Sequence, residues 1–165
     1  MLDIGAPELL SEQHDTSTFV SGESILDRWL QKKALQNQNK GASRCFVVCI
    51  GKQVIGYYGL SAGAIAHGEV RKSMRRNMPN PLPILLLGRL AIDQKYHNQG
   101  LGSALLQDAM LRSIAIAAQT GVFAILVHAL SEQAKRFYLS RGFVVSPVQP
   151  MTLMMTMTTV RETIV

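Results

Sequence analysis

The chain has 165 residues and 18.1 kDa, the size of one ordinary domain, so a single domain over residues 1–165 is expected. Hydrophobic residues make up 47% and charged residues 17%, with a mean hydropathy of +0.13, which excludes global disorder. No run nears the ~20 apolar residues of a membrane span and the acidic start "MLDIGAPELLSEQHD" does not read as a secretory leader, so a cytoplasmic protein of formal charge +6 is expected.

In chain order, a short helix is predicted within Leu9 to Asp15. A second, amphipathic helix is predicted from Ser24 to Asn37, where Leu26, Trp29, Leu30 and Ala34 recur at helical spacing and Asp27 stands as a capping-box-like acid. "RCFVVCI" and "QVIGYYGLSAG", separated by "GK", read as a β-hairpin. Residues 67–83 hold three of the six prolines and little apolar periodicity, which predicts a long loop with one basic helical turn. "ILLLGRLAID" is a strand buried on both faces, interrupted by Arg89. A glycine-containing turn, a helix from about Gly102 to Ala118 and a second buried strand, "VFAILVHAL", follow, and the crossover makes those two strands parallel. "SEQAKRFYLSRG" is a short helix closed by Gly142, and "FVVS" and "TLMMTMT" are terminal strands. The fold class is α/β, with a mixed, mostly antiparallel sheet.

The charge is uneven along the chain. Residues 1–27 hold six acids and no Lys or Arg, whereas the remainder has 17 basic and 5 acidic residues, a net of +12. The basic residues gather at Lys32, Lys33, Lys40 and Arg44 and again at Arg71, Lys72, Arg75 and Arg76. That density suits a polyanionic partner and equally suits a solvated basic face. Cys45 and Cys49 share one strand, beyond disulfide reach, and read as buried thiols. His14 and His67 have no convergent partners in sequence and no spacing resembles a metal site, so no metal is expected. His128 reads as a hydrogen-bonded structural residue or as an orienter of Tyr138, and Glu132 as a helix cap.

Gly100 and Gly102 lie between a buried strand and a helix, where backbone N–H groups and a positive helix end hold phosphate. The third glycine of a dinucleotide fingerprint and the Lys of a P-loop are both missing, which argues against NAD and ATP. On these residues alone an ordinary tight turn is the favoured reading.

With "LAID-x-x-x-HNQGLGSALL" and "FYLSRGF", however, the chain resembles the GNAT N-acetyltransferases over nearly its whole length. The resemblance implies acetyl-CoA as cosubstrate, with its pyrophosphate on His97, Asn98, Gln99, Gly100, Leu101, Gly102 and Ser103. His97 departs from the family's Gln or Arg, which leaves the backbone as the cradle. Ala91 and Ile92 would flank the pantetheine where the parallel strands splay. Tyr138, in a "Y-x-x-x-GF" arrangement with Gly142 and Phe143, would protonate the leaving sulfur.

"LDRWL", "GYYGLSAG", "LGRLAID" and "LVHALSEQAKRFY" further resemble acetyltransferase toxins of bacterial toxin-antitoxin pairs, which acetylate the amino acid on tRNA and stop translation. Ser131, near the Asn that ordinary members often carry, joins the cofactor residues by this resemblance. Lys32, Lys33, Lys40, Arg44, Arg71, Lys72, Arg75, Arg76 and Arg89 become the tRNA-binding set. The same resemblance implies a homodimer, a ribbon-helix-helix antitoxin and contact with operator DNA only through that antitoxin. The alternatives are a GNAT enzyme acting on a protein or small-molecule amine, and a silent GNAT-fold protein that binds nucleic acid.

Overall fold

The computed structural model describes residues 3–164. They form a seven-stranded, mostly antiparallel sheet in the order β1-β2-β3-β4-β5-β7-β6. The strands are β1 (Glu8–Leu9), β2 (Arg44–Ile50), β3 (Gln53–Ile65), β4 (Leu82–Ile92), β5 (Ala124–His128), β6 (Val144–Val145) and β7 (Thr152–Thr156). The helices are α1 (Ser24–Lys32), α2 (Ala34–Asn39), α3 (Lys72–Arg75), α4 (Leu101–Ala117), α5 (Glu132–Ser140) and α6 (Met157–Ile164). Two compact units result: residues up to Ser61 with Arg89–Ala109, and Ala62–Gly88 with Met110 onward.

In the first unit, α1 buries Leu26, Trp29 and Leu30 in a core shared with Val47, Val54 and Tyr57. Trp29 stacks on Tyr57 with ring centroids 5.8 Å apart, and Tyr57 donates its hydroxyl proton to the Leu26 carbonyl at 2.6 Å. The β2–β3 hairpin forms as its alternation predicts. It turns at Gly51, whose φ of +61° suits glycine. At Gly56 a Cβ would lie 2.8 Å from Ile92 Cδ1 and 2.9 Å from Val48 Cγ2. Only the missing side chain lets the end of β4 seat there.

The predicted helix at Leu9–Asp15 is not formed. Glu8 and Leu9 pair instead with Val47 and Phe46 of β2. The buried Gln38 amide fixes this edge, donating to the Leu10 carbonyl at 2.8 Å and accepting the Cys45 N–H at 2.9 Å. The predicted helix at Ser24–Asn37 breaks at Lys33, whose φ of −122° is not helical, into α1 and α2. Asp27 does reach back across the start of α1, though to Ser21 rather than to the cap residue. Its carboxylate accepts the Ser21 N–H at 3.0 Å and the Ser21 hydroxyl at 2.6 Å.

In the second unit, the expected parallel pair is present, with Ile84↔Ala124 through Leu87↔Val127 in register. The ladder ends there, while β4 continues to Ile92. Ala124, Ile125, Leu126 and Val127 are all buried, as a strand covered on both faces requires. β7 lies antiparallel to β5, from Ala124↔Thr156 to His128↔Thr152. "TLMMTMT" does not remain extended to its end. Thr156 Oγ1 accepts the Thr159 N–H at 3.3 Å, and α6 begins at Met157 with Met157 and Val160 on its buried side.

Candidate active site

The turn that the sequence marks as a phosphate cradle lies in the first unit and is held from three sides. Asp93, 3% exposed, accepts the Val20 N–H at 3.1 Å and the Lys95 N–H at 3.0 Å. Its own N–H reaches the Ile55 carbonyl at 2.8 Å. His97 Nε2 donates to the Ile92 carbonyl at 2.7 Å, so the residue that departs from the family pattern ties its own loop to the strand end. Asn98 at φ +63° and Gly100 at φ +80° then reverse the chain into α4.

A Cβ on Gly100 would meet nothing within 4 Å, so this glycine answers to backbone conformation and faces open space. The N–H of Ala104 closes onto the Gly100 carbonyl at 3.1 Å, and the preceding N–H groups of Leu101 and Gly102 open a helix of 17 residues. A helix start leaves such donors to be met from outside, with the positive end of the macrodipole behind them. Asn98, Gln99 and Gly100 are exposed; Leu101, Gly102 and Ser103 are half-buried. These features fit a pyrophosphate. Ala91 is buried and Ile92 half-buried, at the end of β4.

Tyr138 lies in the second unit, near the end of α5. Ser131 caps that helix, its Oγ accepting the Ala134 N–H at 3.1 Å, so the capping role expected of Glu132 falls to Ser131. Gly142, at φ +101°, ends the helix and returns Phe143 against Tyr138, with rings 5.4 Å apart and edge to face. The side chain is 6% exposed. Its hydroxyl has no hydrogen-bond partner among the described residues, yet it is not among their sealed, unpartnered polar atoms, Ser43 Oγ and Arg75 Nε. The tip of the phenol therefore reaches the surface. Burial pushes its pKa above the ordinary tyrosine range, which keeps the proton in place at cellular pH.

The basic residues divide between the units. Lys32, Lys33, Lys40 and Arg44 are exposed in the first, and Arg71, Lys72 and Arg76 are exposed in the second, with Arg75 half-buried. Arg89 makes no ion pair with a carboxylate among the described residues and lies 4.3 Å over the Trp29 ring. Sequence reasoning missed that stack, as it missed the anchoring by Asp93 and the Tyr58 hydroxyl bonded to Asp108 of α4 at 2.5 Å. The signals were visible as an Asp closing a buried strand and a pair of tyrosines in a largely apolar one.

Cys45 and Cys49 are free and buried. Burial pushes their thiols up to about 12 and about 11, which suits inert residues rather than acyl carriers. His14, for which the sequence shows no convergent partners, meets Glu8 and Cys49, their ligand-type atoms within 4.8 Å of one another. The Ser11 N–H donates to His14 Nδ1 at 2.9 Å. The ring proton therefore sits on Nε2, which gives it to Glu8 Oε1 at 2.6 Å. The cluster reads as a hydrogen-bonded staple of the sheet edge.

An acetyltransferase (GNAT) domain model matches residues 41–145. The chain is a GNAT-family acetyltransferase. It is 45% identical, over 99% of both chains, to the tRNA-acetylating toxin of Mycobacterium tuberculosis (strain ATCC 25618 / H37Rv). Its fold superposes on AtaT complexed with acetyl-methionyl-tRNAfMet with a TM-score of 0.90 at 27% identity, covering 97% of this chain and 98% of that one. A variant of AtaT bound to the C-terminus of the antitoxin AtaR and acetyl-CoA gives 0.84 at 26% identity, with 97% of each chain covered. The α/β fold expected from the sequence is thus the GNAT fold, and the expected acetyltransferase activity is that of the family. No helix among the described residues is long and apolar enough to cross a membrane.

Proposed function

We propose that this acetyltransferase moves an acetyl group from acetyl-CoA to the α-amino group of aminoacyl-tRNA and so blocks translation. The observation that carries the reading is the 45% identity, end to end, with a tRNA-acetylating toxin. The charge agrees with it, since all of the Lys and Arg, 17 residues, lie after residue 27 and tRNA is a polyanion. Lys32, Lys33, Lys40, Arg44, Arg89 and the Arg71–Arg76 cluster are its phosphate-binding set.

The two compact units act as one GNAT domain in this reading. The acetyl-CoA pyrophosphate rests on residues 97–103 at the start of α4, and the pantetheine runs along Ala91 and Ile92. Ser131 accepts the Ala134 N–H as the α5 cap and keeps its O–H to donate to the cofactor. Tyr138 hydrogen-bonds the sulfur as charge builds on it. Burial holds the phenol well above a thiol's pKa of ~8.5, so the proton that ends on CoA is replaced from the nitrogen. The newly bonded nitrogen is cationic in the tetrahedral intermediate and passes its proton on through the phenol.

The protein is cytoplasmic, where charged tRNA and reduced thiols are found, and forms a homodimer. A ribbon-helix-helix antitoxin neutralises it and brings it to operator DNA; an AtaT–AtaR complex bound to DNA supports the second part of this reading. Labelled acetyl-CoA offered with charged tRNA, deacylated tRNA, protein and polyamines tests the substrate. Label on charged tRNA alone supports the reading, and label on protein or polyamine replaces it with an ordinary GNAT acceptor.

A further inference from the structure

β5 runs through four buried residues and ends on an exposed one, His128. The imidazole is nevertheless fixed. Its Nδ1 lies 2.9 Å from Oγ1 of Thr152, the residue directly opposite on β7 and itself only 8% exposed. Nε2 has no hydrogen-bond partner among the described residues. A histidine with one nitrogen held by a buried side chain and the other left outside is oriented for proton transfer. The place is apt, because ligands of open α/β sheets bind beyond the carboxyl ends of parallel strands, and His128 ends one strand of the parallel β4–β5 pair. Tyr138 belongs to the same unit, on the helix that follows β5.

We infer that His128 is the proton acceptor for the incoming amine, taking a proton on Nε2 from the α-ammonium before the nitrogen attacks. The inference rests on the aminoacyl-tRNA reading above. In the tautomer it needs, Nδ1–H donates to Thr152 Oγ1 and the lone pair stands on Nε2. The proton passes from the ammonium to Nε2 and then to solvent. The neutral nitrogen bonds to the acetyl carbon, the carbon–sulfur bond breaks with its electron pair going to sulfur, and the second nitrogen proton reaches that sulfur through Tyr138. The products are the N-acetylated aminoacyl-tRNA, CoA as its thiol and one released proton. An α-ammonium titrates near ~7.7 and lower beside an ester, so a base matters most at and below neutral pH. Within the same unit, β7, which pairs with β5, brings no charged group, and α5 carries Glu132, Lys135, Arg136 and the Tyr138 phenol.

The test is the kcat/KM profile of the whole chain on charged tRNA from about pH 6 to about pH 9, for the parent, His128→Gln and His128→Ala. The parent's acid limb is expected below the amine's own titration. In the variants it moves up to that titration, so the deficit is about tenfold one pH unit below the amine's pKa and closes near pH 9. Added imidazole is expected to restore His128→Ala in a saturable way. Thr152→Val, which frees the ring, is expected to lower kcat with little change in KM. An unmoved limb with no rescue by imidazole would overturn the inference and leave His128 as a pin between β5 and β7, whatever the variants do to thermal stability. If the label goes to a different amine while the limb still depends on His128, the tRNA reading fails and the role of His128 stands.

Discussion

Replacing Gly100 by aspartate sets a carboxylate at the start of α4, where the N–H groups and the helix dipole favour an anion of their own. Two costs must be separated. Any side chain at φ +80° is strained by about 1–2 kcal/mol, and asparagine shares that cost with aspartate. Steric exclusion does not enter, since a Cβ there meets nothing within 4 Å. The difference between Gly100→Asp and Gly100→Asn is therefore charge. One carboxylate about 4 Å from one phosphate charge costs roughly 1–4 kcal/mol for an effective dielectric between that of water and that of a protein surface. That range is between about fivefold and several-hundredfold in Kd. Calorimetric titration with acetyl-CoA at low salt reads it, and added salt should narrow the gap. Equal affinities for the aspartate and asparagine variants at low salt would refute the cradle.

Trp29→Ala removes the ring between Tyr57 and Arg89; a loss of about 3–5 kcal/mol is expected, seen as a fall in thermal midpoint of roughly 6–20 °C. Stability should also fall at high pH. Burial raises the thiols of Cys45 and Cys49 in the folded state, to about 12 and about 11, whereas unfolded thiols ionise near ~8.5. Their contribution is complete below that value and lost as pH climbs through the folded values. Denaturant midpoints for the parent and Cys45→Ala should converge as pH rises above about 9, and parallel curves would contradict this. Charge reversal of Arg71, Lys72 and Arg76 should weaken tRNA binding and flatten its salt dependence by roughly 0.7–0.9 per lost phosphate contact. Calorimetry with acetyl-CoA on the same variant should show no change.

Elements whose partners are close in sequence were legible from the chain. The hairpin and the strand–turn–helix around Gly100 follow from local apolar runs and glycines, and the parallel pair follows from the handedness of its crossover. What was misread depends on distant partners. Nothing within Leu9–Asp15 announces that Gln38 will hold Leu10 and Cys45 together, so the segment's strand character came only with the fold. α6 did carry local signals, a capping Thr156 and Met157 with Val160 three positions on, but they lay inside a Met- and Thr-rich run that also suits a strand. Arg89 stood out as a charge in a buried strand, yet its resting place over Trp29 joins residues sixty apart, which periodicity does not relate. The cradle was legible as a motif, whereas its anchoring by Asp93 through the Val20 N–H was not.

Transfer to an aminoacyl amine with Tyr138 as the acid can be read directly on charged tRNA. Charged tRNA is incubated with acetyl-CoA and the parent or Tyr138→Phe, digested with nuclease, and the released aminoacyl-adenosine is analysed by mass spectrometry alongside acetyl-CoA calorimetry on both proteins. One acetyl group on the α-nitrogen is expected with the parent. With Tyr138→Phe, which keeps the ring contacts to Phe137 and Phe143, acetyl-CoA affinity should be unchanged and the rate roughly 10²- to 10⁴-fold lower. An unmodified aminoacyl nitrogen with the parent, or a full rate with the phenylalanine variant, would contradict transfer to that amine with Tyr138 as the acid.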